Sequence, residues 1–572
     1  MDFVAEAAAE QLAALLLTLQ FPAADSASAL PLLRDCVNLL PTLTYARDIA
    51  ALTRMILLSP AIWPEYYDSY DLGSAHPVGL HVSEAFRSAA RARVNRQASY
   101  GQSTDEDLSL FVIAAVAGLN TCSNAPLRAI CALSGLMSAL PIAAAMPEPQ
   151  IAFINLLNII SRDTAKVDDP VSFSICGTIA YSSTEQNFRS RIVVSPGLVS
   201  ILSKVLLAPE MHPDVRSYAG PIAQFISHLY RFMSTSSNIR LSLQPLAVLF
   251  DDSVRLRHTE VSKETTFGLI AILTGLVDGI QSRGSRKWYL FANQDPSEIR
   301  ISKQIILILR NLSTTIYGIA VGGFAAESYL HSAAVGILLS NCGPPIDDLL
   351  DDLQNTKSEP EILFELNTAE KMLLSSPAST PLPSPVLSKI VRPAQKIIAS
   401  VGSSRDNISR AIHEAAHAVF LASLIIPALA DENVRYIHST YLSSVIGLYE
   451  SQIISNKQLK AAVNSLSGAF TPGSGVLSSA APSFGEDHIV PAVRGLITGG
   501  PNAALLTEIF VDAVLACAPV ERIEFWLDSV EGTRSVVAER IKLGEIPSVC
   551  TEGVVRWWYS GSDSADIVSS RL

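Results

Sequence analysis

Apolar residues recur at helical spacing along most of the chain. The spacing predicts helices over about 3–20, 32–40, 43–59, 105–119, 126–140, 148–162, 196–207, 214–233, 240–256, 261–281, 297–320 and 325–340. A second block of helical runs extends from about residue 386 to residue 559. Alternating apolar and polar residues are rare, and the best such run, Arg191 to Val194, is too short to build a sheet.

Helices of this length cannot each bury an apolar face alone, so they have to stack on one another. The sequence therefore predicts an all-α fold, an irregular α-solenoid of HEAT- or armadillo-like helical repeats. No clean repeat is visible in the letters, so any repeats are degenerate. Gly318 and Gly322 are four residues apart, a spacing that suits close packing of helices.

One change in composition suggests a domain boundary. Residues 343–352 open an acidic stretch, and the Ser- and Pro-rich run from Ser375 to Pro385 closes it. Such a run disfavours helix and favours an extended linker. We therefore predict an N-terminal helical-repeat region over 1–342, an acidic and Pro/Ser-rich linker over 343–388, a C-terminal helical region over 389–559 and a flexible tail over 560–572.

The charge balance argues against a nucleic-acid partner. The chain has 42 basic and 54 acidic residues, a net charge of −12, and no dense Lys/Arg cluster that would meet phosphates. Hydrophobic residues make up 49% and charged residues only 17%, which excludes a disordered chain. Its seven scattered cysteines form no Cys-x-x-Cys pair and are predicted to be small buried apolar residues in a reducing or neutral compartment.

The positive mean hydropathy, +0.31, raises the question of a membrane span. The best candidates are Ala129 to Met146, which Gly135 and Pro141 interrupt, and Asn311 to Ala326, which is too short. Both are predicted to pack inside a soluble helical array. The first residues, Met1 to Gln20, carry acidic residues and no basic leader, so no secretory signal is expected.

A zinc-protease motif lies in the second helical block. His413-Glu414-Ala415-Ala416-His417 has the form H-E-x-x-H, in which the two histidines share a helical face and bind zinc while Glu414 activates water. Glu432 or Glu450 would be the third ligand. The alternative is a packing face, because His413, His417, Phe420 and Leu424 continue one apolar stripe. The packing face is favoured, so we expect no metal and no cofactor, with a zinc metallopeptidase as the alternative.

The last three residues have the form of a type-1 peroxisomal targeting signal. Ser570, Arg571 and Leu572 give the small, basic, leucine order of a receptor-read address. The preceding residues 560–566 are polar and poor in core residues, as expected of a segment that holds the signal away from a folded body. About ten such residues span some 16–19 Å on average.

An aromatic cluster precedes the signal. Trp557, Trp558 and Tyr559, followed closely by a Ser-rich tail and a type-1 signal, resemble the end of the fungal peroxin-8 family, and the length and helical character are similar to that family. The three aromatic residues are predicted to be a structural cap on the last helical hairpin rather than a receptor contact.

The resemblance implies a non-enzymatic peroxisome biogenesis factor. It would act as a scaffold on the matrix side of the peroxisomal membrane, attached peripherally, and would bridge the docking and RING complexes of matrix-protein import. Its terminal signal would bind the tetratricopeptide import receptor, peroxin-5. A cytosolic helical-repeat adaptor with an accidental terminal tripeptide is the other open alternative.

Overall fold

The computed structural model describes the greater part of the chain. The described residues are 2–22, 29–63, 78–100, 104–122, 125–140, 143, 145–160, 196–207, 219–235, 239–257, 261–286, 296–320, 323–339, 344–354, 358–376, 382–400, 407–473, 475–497 and 502–560. The predicted strand-like run at 191–194 and the terminal signal at 570–572 lie outside them.

The first of two compact units comprises residues 1–319 and 323–334. Its described helices are α1 (Asp2–Thr18), α2 (Ala29–Leu39), α3 (Ala46–Leu58), α4 (Val78–Tyr100), α5 (Thr104–Asn120), α6 (Pro126–Ala139), α7 (Pro147–Ile160), α8 (Pro196–Leu207), α9 (Ala219–Thr235), α10 (Leu243–Leu256), α11 (Lys263–Arg286), α12 (Pro296–Asn311), α13 (Ser313–Ile319) and the larger part of α14 (Ala325–Leu339).

The second unit comprises residues 320–322 and 335–572. After α14, its described helices are α15 (Pro344–Gln354), α16 (Glu359–Ser375), α17 (Ser384–Ala399), α18 (Asn407–Ser423), α19 (Ala430–Tyr436), α20 (Leu442–Glu450), α21 (Asn456–Ala469), α22 (Val490–Gly495), α23 (Ala503–Cys517), α24 (Ile523–Asp528), α25 (Thr533–Leu543) and α26 (Thr551–Ser560). Two π-helical segments, Ile437–Tyr441 and Gly485–Ile489, run directly into α20 and α22.

The predicted all-α solenoid class is confirmed. The described residues contain no strand, and the helices pack in adjacent pairs. Within each unit, much of the heaviest packing joins helices that are two apart in the chain: α3 with α5, α4 with α6, α9 with α11, α10 with α12, α16 with α18, and α21 with α23. The neighbouring helices α17 and α18 also pack heavily on each other. A helix that packs on its second neighbour belongs to a stack of like helices, with the intervening helices forming a second layer.

Glycines sit where two such helices approach most closely. A methyl group on Gly118 of α5 would lie 2.5 Å from the carbonyl oxygen of Ala50 in α3, and one on Gly135 of α6 would overlap the carbonyl oxygen of Ser83 in α4. Gly275 of α11 meets α9 in the same way, at the carbonyl of Ser227. At Gly318, by contrast, a methyl group would meet no atom of the described residues within 4 Å, so close packing at this glycine is not found there.

Two parts of the structure differ from the sequence-based expectation. Helix α4 has no counterpart among the predicted helices, because its four arginines obscure a narrow apolar face that buries Val82, Phe86 and Ala89. Residues 343–388, predicted to be a linker, contain α15, α16 and the start of α17. Helix α15 buries Leu349, Leu350 and Leu353 on one face. The aspartates around these leucines hide that apolar face in the sequence. The domain boundaries at 342 and 389 stay predictions.

Apolar helices of the first unit are packed inside it. Residues 129–138 of the first span candidate are all buried within α6. By length and composition, the stretch Lys263–Arg283 of α11 is suited to crossing a membrane, but 67% of its apolar window is buried in the structure. In the second unit, Ile408–Ser423 and Pro427–Glu450 pass the same test together but are bent by 105°. Mostly buried apolar helices of this kind are usual in the cores of soluble helical proteins.

The described cysteines follow the sequence-based prediction. Cys36, Cys122, Cys131, Cys517 and Cys550 are buried and unbonded to one another. Burial raises the pKa of the Cys36 and Cys517 thiols to about 12 and raises the pKa of the Cys122 and Cys550 thiols as well. These thiols therefore behave as apolar side chains at neutral pH.

The glycine contacts predict opposite effects of one substitution at two sites. Gly135→Ala should destabilise the first unit by about 1–3 kcal/mol, because the new methyl group meets backbone that cannot rotate away. Gly447→Ala, inside α20 with open space around it, should be neutral or stabilising by up to about 1 kcal/mol. The urea midpoint of unfolding measures the stability of each variant, and hydrogen–deuterium exchange of α4 and α6 shows whether the loss in Gly135→Ala is local to their contact. Equal stability of the two variants would contradict close packing at Gly135.

Candidate functional site

The C-terminal helix α26 is held closely against the second unit. Gly553 allows the contact, since a methyl group there would lie 2.8 Å from the carbonyl oxygen of Val520 and 2.9 Å from Ile523. Val554 is fully buried, and the Cys550 thiol just before α26 donates to the carbonyl of Leu515 at 2.8 Å. Helix α26 is thus part of the folded body rather than of a tail.

Trp557 anchors this helix through all parts of its side chain. It is 1% exposed, and its indole N–H donates to the Asp528 carboxylate at 2.7 Å. The guanidinium of Arg534 lies over the ring, 5.6 Å from its centroid. The ring of Trp558, 9% exposed, meets that of Trp557 edge to face at 6.1 Å. Such burial is what a structural aromatic cap requires, and the cap itself stays a prediction.

The sequence did not reveal the partners of Trp557. Asp528 ends α24 and Arg534 is the second residue of α25, and no motif links either residue to the C-terminal helix. The side chain of Tyr559, the third member of the predicted cap, lies outside the described residues. The described chain ends at Ser560, so the structure positions the helix that precedes Ser570, Arg571 and Leu572 but not these three residues.

The two histidines of the zinc-protease motif lie on α18, and His417 packs against the aromatic ring of Tyr441. Nδ1 of His417 is hydrogen-bonded to the Tyr441 hydroxyl at 3.1 Å, and the rings of Phe420 and Tyr441 are 4.3 Å apart. Desolvation lowers the pKa of His413, and desolvation together with the neighbouring His413 lowers the pKa of His417 to about 4. Both rings are therefore neutral at physiological pH.

The acidic residues that a zinc protease would need are engaged elsewhere. Glu414 forms an ion pair with Arg410 at 3.2 Å and accepts a hydrogen bond from Gln458 at 2.8 Å, on an exposed side of α18. Glu432, a candidate third ligand, accepts from the Ser388 hydroxyl at 2.8 Å. Within the described ranges, no three His, Cys, Asp or Glu side chains are grouped to hold a metal ion. The packing face for His413 and His417 stays a prediction.

Comparison with known proteins gives a match in the N-terminal part of the chain. Residues 6–149 match the family model described as "Peroxin 8 protein-like, N-terminal domain". The matched segment is about a quarter of the chain and covers nearly all of α1 and the helices α2 to α6 with the beginning of α7. A search of curated proteins found no match.

The buried histidines predict a pH dependence of stability. The pKa of His417 is about 4 in the folded chain and 6.5 ordinarily, so the unfolded chain binds more protons between these values. Stability should therefore fall as the pH falls from about 6.5 to about 4, by up to about 3 kcal/mol from this residue. In His417→Gln this part of the acid sensitivity should be lost, whereas His228→Gln, an exposed control, should retain it. Urea unfolding at several pH values measures the slope, and identical slopes in both variants would contradict a buried neutral His417.

Proposed function

We propose that this chain, which the match over residues 6–149 relates to the peroxin-8 family, is a lumenal scaffold for the import of peroxisomal matrix proteins. Family membership implies a peroxisomal location and suggests a non-enzymatic role in peroxisome biogenesis. The proposal adds that the protein binds the import receptor, bridges the docking and RING complexes, and attaches peripherally to the matrix side of the membrane. The match over residues 6–149 is the observation that carries it.

Receptor binding is assigned to Ser570, Arg571 and Leu572. Their order is that of a type-1 targeting signal, in which the tetratricopeptide receptor, peroxin-5, would read the side chains and the terminal carboxylate. The contacts of Trp557 support a receptor site confined to the terminal residues. Its indole N–H is bonded to Asp528 and its ring is covered by Arg534 inside the folded unit, so Trp557 is engaged there. The body would hold the membrane complexes while the terminus holds the receptor, so that one chain raises the effective concentration of each partner near the other.

Two structural observations support a scaffold over the alternatives. Stacked helices offer long surfaces on which several proteins can bind without catalysis. The zinc-metallopeptidase alternative would need Glu414 beside a metal held by His413 and His417, and Glu414 is instead paired with Arg410 and Gln458. Peripheral attachment agrees with α11, whose apolar stretch lies mostly inside the first unit.

Calorimetry with the tetratricopeptide domain of the receptor tests the assigned signal. Leu572→Asp should weaken binding by at least about 100-fold, because a carboxylate would be placed in the pocket for an apolar side chain. Ser569→Ala, just before the signal, should stay within about threefold of the parent protein. Trp557→Phe should also keep its affinity if Trp557 is structural. Unchanged binding by Leu572→Asp would overturn the assignment, and a loss in Trp557→Phe with the fold intact would make Trp557 a receptor contact.

Affinity capture from detergent-solubilised peroxisomes tests the bridging role separately. The parent protein should recover subunits of both the docking and the RING complex. Leu572→Asp, brought into peroxisomes by an unrelated N-terminal import signal, should still recover both, because the body rather than the terminal signal is assigned to these contacts. Recovery of the receptor alone by the parent protein would leave an ordinary import cargo and contradict the scaffold.

A further inference from the structure

A groove on the second unit has the chemistry of a peptide-binding site. It has a volume of about 840 Å³ and lies between α17, the segment around α19, and the residue that precedes the second π-helical segment. Its lining includes Arg392 and Gln395 from α17, Arg435 from α19 and His438 from the π-helical segment that follows it. Phe484, just before the second π-helical segment, completes this set. Cations, an amide and an apolar ring thus come from three places in the chain to one surface.

The charges of the groove favour an anionic ligand. Arg392 and Arg435 are both exposed at its rim. Arg435 donates its Nε to the carbonyl of Asp431 at 3.1 Å, which fixes the base of its guanidinium and leaves two terminal nitrogens to meet a carboxylate. Glu432 also lines the groove, but one of its oxygens already accepts the hydroxyl of Ser388. The lining thus carries two arginines and one glutamate, a positive balance in a chain whose net charge is −12.

One lining residue of the groove, Gln395, has a buried amide nitrogen without an acceptor among the described residues. The Nε2 of Gln395 is buried without a hydrogen-bond partner, although the backbone carbonyl of the same residue accepts from the Tyr436 hydroxyl at 2.8 Å. A buried amide that lacks an acceptor is unfavourable, and a turn of the Gln395 side chain toward a ligand in the groove would satisfy it.

Another part of the groove lining is aromatic and lies at two π-helical segments. Phe484 is 7% exposed and stacks on Phe470, with centroids 4.8 Å apart. His438, in the first π-helical segment, lies 6.0 Å from Phe484 and 4.9 Å from His488, which is in the second. Short π-helical segments are rare and occur frequently at functional sites. Here two of them bring imidazole rings into contact beside the same groove.

We propose that this groove binds an acidic peptide segment of a partner protein, with one apolar or aromatic side chain placed against Phe484 and His438 and flanking carboxylates at Arg392 and Arg435. A peptide fits better than a small anion, because the groove is open and would leave a small ligand largely in water. The site is separate from Ser570, Arg571 and Leu572 and does not depend on the receptor contact assigned to them.

Fluorescence polarisation with the full chain tests the proposal. The probe is a labelled pool of nine-residue peptides with Phe at the centre and Asp or Glu at the two positions on each side, and the matched pool carries Asn or Gln at those positions. We expect the acidic pool to bind at least about tenfold more tightly than the amide pool at about 0.1 M salt. Equal binding of the two pools would overturn the proposal.

A pair of double variants separates the groove from general electrostatics. Arg392→Glu with Arg435→Glu should weaken binding of the acidic pool by at least about tenfold. Lys457→Glu with Lys542→Glu makes the same change of net charge at exposed sites outside the groove lining, and should weaken it by less than about twofold. Circular dichroism shows that each variant is folded. Equal losses in the two double variants, or equally tight binding by an acidic pool that lacks the central Phe, would show a non-specific charge effect and contradict the site.

Discussion

Close approach between helices two apart in the chain is the constraint on which the fold depends. The backbone of α5 comes so near to α3 at Gly118, and that of α6 so near to α4 at Gly135, that no side chain fits between them. Helices at this distance gain their stability from dense apolar contact along the whole interface rather than from a few polar bonds. Arg93 shows the exception, since it is buried in α4, pairs with Asp107 of α5 at 2.6 Å and donates to the carbonyls of Pro41 and Leu43. One cation thereby ties α4 to α5 and to the chain between α2 and α3.

The second unit shows how surroundings decide what a motif means. The pair His413 and His417 has the spacing of a metal-binding helix, yet the ring of His417 packs against Tyr441, which in turn contacts Phe420. A neutral His417 is compatible with this packing because its Nδ1 is hydrogen-bonded to the Tyr441 hydroxyl. The carboxylate that would complete the chemistry lies on another face of the same helix, where water and Arg410 stabilise its charge.

The helices that the sequence predicted correctly are those in which apolar residues recur on one face. Most helices of the first unit follow from apolar periodicity, and α5, α6 and α10 have nearly the predicted bounds. Helix α4 was not predicted because its arginines lower the apolar signal of the sequence, and α15 was not predicted because aspartates surround its leucines. The partners of Trp557 and the peptide groove were beyond reach for a different reason. Each joins side chains from helices far apart in the sequence, and only the packing of whole helices brings Asp528 to Trp557 or Arg392 to His438.

The buried cysteines have a consequence for the chemistry of the compartment that the family implies. Hydrogen peroxide, the oxidant after which the organelle is named, attacks a thiol as its thiolate, and only where it can reach the sulfur. The five described cysteines are all buried, and burial also raises the pKa of four of them, that of Cys36 and Cys517 to about 12. The same close packing that shapes the helical stacks therefore gives these thiols resistance to peroxide without a disulfide, and they should survive there as long as the stacks stay folded.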